Sequence, residues 1–379
     1  MIYFDNAATG GFKPDEVITA AEAAVKFSAN PGRSGHKLSL ACLERVYAVR
    51  KILCDFFGGY SYDRVIFTKN CTEALNIALF GVIKRGDEVV TTVAEHNSVL
   101  RPLERLKSEG VKVAYAPLND DGELDLSAFA RLVTEKTRVA AITLASNVTG
   151  AAPDIAAVRD ILPENCLLIC DGAQACGHVE IDMKKSGIDA LAVAGHKGML
   201  GIQGGGALIF SERFNPDPLT YGGTGSESKN LNMPDFYPDR LESGTLCYPA
   251  IVSMGEGALY LKQNFKENAQ KTSEFTEYLC EELKKIPGVN VFSKPNPFGI
   301  VAFSLENMQS ELAAYTLSEE YAICVRGGLH CAPLMHGALA SDGLVRVSVS
   351  AFNTQSECEK FIGAMRKIAA QPQDGAGEV

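Results

Sequence analysis

Five short stretches of this chain carry residues that could do chemistry. In Ala194-Gly-His-Lys197 a lysine follows directly on the apolar run Ala190 to Val193. A lysine at the carboxyl end of a sheet strand, in apolar surroundings, can bond covalently to an aldehyde. Taken alone it also reads as a solvated surface lysine. In Cys170-Asp-Gly-Ala-Gln-Ala175, Asp171 closes a second apolar run, Leu167 to Cys170. Alone, Asp171 also reads as a helix cap. Together the two residues fit pyridoxal phosphate, which works as an electron sink only while its ring nitrogen stays protonated beside an acid.

Three further stretches add to this pair. Lys69-Asn-Cys-Thr-Glu-Ala-Leu75 follows the run Val65 to Thr68. Asn70 and Glu73 have capping-box spacing, and the amides of Cys71 and Thr72 at a helix start could cradle a phosphate, or cap an ordinary helix. In Glu95-His96-Asn-Ser98 an imidazole could stack on a planar ring and move protons, or serve as a cap or core histidine. In Arg326-Gly-Gly-Leu-His-Cys331-Ala-Pro a thiol stands beside His330 and near Arg326. Cationic neighbours would favour its thiolate. His330, Cys331 and His336 offer only three metal ligands at a non-standard spacing, so no metal is expected.

The elements that must position these residues alternate along the chain. Apolar strands are expected at 65–68, 88–92, 112–115, 139–144, 167–170, 190–193 and 206–210. Helical stretches at 74–84, 99–109, 126–133 and 155–162 lie between them. This alternation predicts a mostly parallel seven-stranded sheet covered on both faces. After residue 250 the texture changes to a smaller α+β unit. It begins with a largely helical stretch, 251–286, and strands are expected at 289–292, 300–305, 322–325 and 344–350, with helices at 310–320 and 355–369. The domain expectation is therefore a large unit over 15–250, a small unit over 1–14 and 251–370, and a frayed polar tail over 371–379.

Composition narrows the function. The chain has 379 residues, 46% of them hydrophobic and 22% charged, enough for ordinary cores. The formal net charge of -10 argues against binding through a nucleic-acid backbone or an anionic membrane. No apolar run approaches the roughly 18 residues of a membrane helix. The start Met1-Ile-Tyr-Phe-Asp-Asn lacks signal-peptide character, and the 11 cysteines include no C-x-x-C pair, so the expectation is a reducing cytoplasm with mostly buried free thiols.

Jointly the motifs resemble the class V aminotransferase family of pyridoxal-phosphate fold type I, and more closely its cysteine desulfurases of the short-loop, SufS-like type. The resemblance runs from Tyr3-Phe-Asp-Asn-Ala-Ala8 to Arg346-Val-Ser-Val-Ser-Ala-Phe-Asn-Thr354. It takes in Thr72-Glu73, Glu95-His96, Ser146-Asn147, Asp171-Gly-Ala-Gln174, Gly195-His-Lys197 and Glu242-Ser-Gly-Thr245, in family order. It implies that Lys197 holds the cofactor covalently and moves protons, Asp171 pairs with the ring nitrogen, Gln174 bonds the ring oxygen and His96 stacks on the ring. Cys71, Thr72 and His196 would hold the phosphate, with Thr245 reaching in from a second protomer of a homodimer. Asn147, also counted with the cofactor residues, and Arg346 would grip the substrate carboxylate, with Arg326 and His36 as further substrate-binding residues. Cys331 would take sulfur from L-cysteine, releasing L-alanine and supplying an acceptor protein, as in iron–sulfur cluster assembly. A selenocysteine lyase, an aminotransferase or β-lyase with Cys331 incidental, and a non-catalytic partner in sulfur trafficking are the alternatives.

Overall fold

A computed structural model describes residues 1–371; residues 372–379, nearly all of the expected tail, lie outside the described residues. In chain order the strands are β1 (Ile2–Tyr3), β2 (Val65–Thr68), β3 (Glu88–Thr92), β4 (Lys112–Ala116), β5 (Thr137–Thr143) and β6 (Leu167–Asp171). They continue as β7 (Ala190–Ala194), β8 (Gly206–Phe210), β9 (Val289–Val291), β10 (Ile300–Leu305), β11 (Ile323–Cys324) and β12 (Val345–Ser348). The main sheet has seven strands in the order β2-β8-β7-β6-β5-β3-β4. Only β8 runs against the others.

Alternation along each strand feeds two separate cores, because successive side chains leave a strand on opposite faces. Leu168, Cys170, Leu191 and Val193 point into one cluster, with Val46, Val49 and Leu53 of helix Lys37–Phe56 and Ile251 and Met254 of helix Tyr248–Lys284. Leu167, Ile169, Ala190 and Ala192 point into the other, against Ala74, Leu75 and Ala78 of helix Cys71–Val82 and Val99 and Leu103 of helix Asn97–Ser108. A one-residue slip of β6 would swap these faces and turn Asp171 away from its pocket. Because β2, β3, β5, β6 and β7 run the same way, the segments after them gather at one carboxyl edge, where open α/β sheets bind ligands.

The small unit is an antiparallel sheet in the order β12-β10-β9 and a two-stranded parallel pair of β1 with β11. Helices Ser310–Tyr321 and Gln355–Ala369 pack on it around Phe303, Leu317, Val347 and Phe361. The N-terminal segment thus crosses into this unit: Phe4 is fully buried there. Helix Tyr248–Lys284 runs for 37 residues and serves both units. Its first half enters the large core through Ile251, Met254 and Leu261, and its second half the small one through Phe275, Leu279 and Leu283. The expected boundary at 250 falls in the first turn of this helix. Helices Asp15–Lys26 and Pro333–Ala338 complete the frame. Among the described residues no helix is long and apolar enough to cross a membrane.

Candidate active site

Three strand ends bring Lys197, Asp171 and His96 together. Strand β7 ends at Ala194, and the chain turns tightly over 195–199. Gly195 permits the turn, since a Cβ there would stand 2.7 Å from the Gly205 carbonyl. Burial pulls the Lys197 ammonium below its ordinary pKa, and the Asp171 charge opposes this. Asp171, 4% exposed, closes β6. Its Oδ1 accepts from the Ala173 amide at 2.9 Å and from the Cys71 thiol at 3.4 Å.

His96 caps the helix that follows β3. Its Nδ1 accepts from the Ser98 amide at 3.0 Å. An amide can only donate, so Nδ1 is bare and the neutral ring carries its proton on Nε2. Burial lowers the His96 pKa, with Asp171 opposing, which favours the neutral ring. The Ser98 hydroxyl joins His96 Nδ1 (2.9 Å) to the Thr72 hydroxyl (2.8 Å).

These groups fit pyridoxal phosphate. The 12-residue helix Cys71–Val82 starts at the sheet edge with Asn70 as its cap, accepting from the Glu73 amide at 2.9 Å. The first amides of a helix have no partner within it, so those of Cys71 and Thr72 suit a phosphate. Gly206 lets the sheet approach this start; a Cβ there would lie 2.7 Å from the Asn70 carbonyl carbon. Of Cys71 only the main-chain amide is left for that role. Its thiol lies on Asp171, and burial pushes its pKa well above the ordinary thiol value.

The small unit supplies Arg346, Arg326 and Cys331. Arg346 is 1% exposed, donating from Nη2 to Asp5 Oδ1 (2.9 Å) and from Nη1 to the Asn147 carbonyl (2.9 Å). Its Nε is buried without a partner, a donor suited to an incoming carboxylate. Main-chain bonds pair Arg326 with Arg346, and Arg326 Nη2 points at the Cys331 sulfur at 3.7 Å. His330 and Cys331 both adopt left-handed backbone conformations, with φ of 49° and 60°. The loop is fastened to the large unit. Asn147 Nδ2 donates to the His330 carbonyl and the Asn97 amide to the Cys331 carbonyl, each at 2.7 Å.

The other expected residues make the following contacts. His330 is not a cationic neighbour of the thiol. It is buried, burial pulls its pKa down to about 3, and its Nε2 donates to the Leu344 carbonyl at 2.9 Å. Arg326 is the cation at the sulfur. The Asn147 side chain holds the loop. Gln174 donates to the Ala7 carbonyl at 3.1 Å, tying in the N-terminal segment. His196 Nδ1 lies 3.0 Å from the Thr9 hydroxyl, and its pKa is pulled down to about 4 by burial, Lys197 and Lys13, so the ring is neutral. His36 is exposed and caps helix Lys37–Phe56 through a 3.2 Å bond from the Ser39 amide, apart from the Lys197 cluster. Thr245 is exposed beside Asn30 and likewise makes no bond to that cluster. Among the described residues no group of three or more His, Cys, Asp or Glu is placed to hold a metal ion.

Sequence reasoning gave no role to Asp5, Asn97 or Ser98, which order the site. Glu95, quoted there only as part of a motif, is fully buried. Its Oε1 accepts from Thr92 Oγ1 (2.7 Å) and the Thr143 amide (2.9 Å), while Oε2 has no partner. Burial first, and then Asp171, act to push its pKa up to about 8.

Comparison with known proteins agrees with this geometry. A probable cysteine desulfurase of Pyrococcus abyssi is 32% identical, over 97% of this chain and 94% of its own. The apo structure of a cysteine desulfurase from Thermococcus onnurineus NA1 superposes with a TM-score of 0.90 at 30% identity, covering 97% of this chain and 94% of that one. The Escherichia coli cysteine desulfurase CsdA gives 0.86 at 25% identity, covering 96% and 94%. The family described as aminotransferase class-V matches residues 2–361. A half-buried lysine near an acid at the sheet edge, with a match over nearly the whole chain, places this protein in the class V aminotransferase family of pyridoxal-phosphate enzymes.

Proposed function

We propose that this protein is a cysteine desulfurase of the short-loop, SufS-like type, acting on L-cysteine and passing its sulfur through Cys331 to an acceptor. The observation that carries the reading is the exposed Cys331 thiol, held by Asn97 and Asn147 at the edge of the Lys197–Asp171 site. The relatives named cysteine desulfurase support it. So does the short connection between β11 and helix Pro333–Ala338, which carries the thiol.

Bound at this site, pyridoxal phosphate supplies an electron sink that stabilises negative charge at the substrate α-carbon. Asp171 keeps a proton at the ring nitrogen. His96, donating only from Nε2, packs on the ring face. Arg346 binds the substrate carboxylate through its free Nε. Lys197, with its ammonium pKa lowered, holds the cofactor and moves the α-proton. Cys331, with Arg326 Nη2 at its sulfur, attacks the substrate sulfur as a thiolate. A sulfur–sulfur bond forms, the carbon–sulfur bond breaks, and the carbon keeps the electron pair and takes a proton, giving alanine.

The reading includes a homodimer in the cytoplasm, with Thr245 serving the neighbouring protomer's phosphate, and two units divided near residue 250. The test is sulfide and alanine release from L-cysteine in the presence of dithiothreitol. Cys331→Ala is expected to keep the visible cofactor band and lose sulfide release. Continued release with pyruvate in place of alanine would make elimination the reaction. Lys197→Ala is expected to abolish the covalent cofactor band, and an unchanged spectrum would reject its role. Selenocysteine as the only substrate turned over would make the protein a selenocysteine lyase.

A further inference from the structure

Cys331 opens into a cleft of about 470 Å³, walled by Asn76 and Phe80 on one helix and Arg101 and Arg105 on the next. The 10 residues lining it include no aspartate or glutamate, although the chain carries a net charge of -10. Positions 101 and 105 are four apart, so both arginines leave the same face of helix Asn97–Ser108. Arg101 is exposed and makes no ion pair among the described residues. Among the described residues Arg105 pairs only with Glu109, at 2.7 Å, and both are too exposed for that pair to resist exchange. Arg326 adds a third cation at the thiol. Leu329 on the thiol loop and Leu334 in the first turn of the helix after it are 47% and 38% exposed, leaving apolar surface near the thiol.

We propose that this cleft receives an acidic segment of a partner protein, whose own thiol takes the sulfur from Cys331. The proposal rests on the desulfurase reading and names the chemistry of the acceptor. Carboxylates flanking the partner's thiol pair with Arg101 and Arg105, and its apolar residues cover Leu329 and Leu334. The partner thiolate attacks the outer sulfur of the Cys331 persulfide. The bond from Cys331 Sγ to that sulfur breaks and Cys331 leaves as a thiolate. The partner carries the persulfide, with no net oxidation. Substrate and cofactor anions do not account for the two arginines. Arg346 is buried against Asp5 and Asn147, whereas Arg101 and Arg105 are exposed and line the cleft at Cys331.

Two synthetic peptides test this with the holoenzyme and L-cysteine. Each carries one cysteine, flanked in one by aspartates and in the other by lysines. Persulfide formed on each peptide is followed at equal thiolate concentration. The acidic peptide is expected to react at least about tenfold faster at low salt, with the difference shrinking as ionic strength rises. In R101E/R105E the preference is expected to reverse, while sulfide release to dithiothreitol and the KM for cysteine stay unchanged. Equal rates for the two peptides, or a preference that survives charge reversal, would overturn the proposal. Should the double variant misfold, Arg101→Gln and the salt dependence of the unaltered enzyme carry the same test. Failure of the unaltered enzyme to release sulfide to dithiothreitol would instead defeat the desulfurase reading itself.

Discussion

The main-chain amide of Asn97 donates to the carbonyl of Cys331 at 2.7 Å, so the thiol of the small unit is fastened to the residue after His96 in the large one. Each left-handed residue at 330 and 331 costs about 1 kcal/mol. The bonds from Asn97 and Asn147 offset that strain only while the two units are docked. The Cys331 thiol is therefore placed by the Asn97 and Asn147 contacts as well as by its own loop.

Asn147→Ala tests the second fastening. The variant leaves the His330 carbonyl without its donor in a buried position, a penalty of about 1–3 kcal/mol. Sulfide release is expected to fall about tenfold or more in kcat, with the visible cofactor band retained. Steady-state assay and absorption spectrum together check it. An unaltered kcat would remove Asn147 from the placement of the thiol.

Asp5→Asn probes how Arg346 is aimed. The pair is 2.9 Å long, with side-chain exposures of 1% for Arg346 and 22% for Asp5. Because Asp5 is partly open to water, the loss is expected near 2 kcal/mol, below that of a fully buried pair. The KM for cysteine should rise as the guanidinium loses its orientation. Thermal melts and KM measure the two effects, and a variant matching the parent in both would contradict the assignment.

Glu95→Gln should change how stability depends on pH. The carboxyl faces Thr92, Thr143 and, as its charged neighbour, Asp171, and its pKa rises from 4.5 to about 8 on folding. Between those values the folded chain holds a proton that the unfolded chain has released. The stability this contributes is complete below pH 4.5 and is lost as pH climbs toward 8, by at most about 5 kcal/mol. The glutamine variant lacks that slope. Its melting temperature should gain on the parent's between pH 5 and pH 8. A constant difference across that range would mean Glu95 is ionised throughout.

Much of the large unit was legible because its strands are short apolar runs and its site residues stand directly after them. Leu167–Asp171 and Ala190–Ala194 each ended within one residue of expectation. Helices Asp15–Lys26 and Lys37–Phe56 were not legible. The first buries only Val17, Ala21 and Ala24, a stripe made mostly of alanine, and in the second the stripe Cys42, Val46, Val49 and Leu53 shares its packed face with Ser39 and Arg50, which weakens the apolar signal. Arg50 is buried because it forms a two-pronged pair with Glu242, at 2.8 and 2.5 Å, a partner 192 positions away. A separation of 341 positions likewise concealed the pairing of Asp5 with Arg346. His330 was misread because adjacency to Cys331 says nothing about which way its ring turns. Only the fold directs it inward to Leu344.

The most direct test of the account is where sulfur comes to rest. The holoenzyme is treated with L-cysteine without reductant, digested, and its cysteine peptides are weighed by mass spectrometry. Among the described residues Cys247 is the other exposed thiol and serves as the internal control. The account predicts one added sulfur on the peptide containing Cys331 and none on that containing Cys247. Sulfur on Cys247 alone, or on neither peptide while alanine is formed, would contradict it.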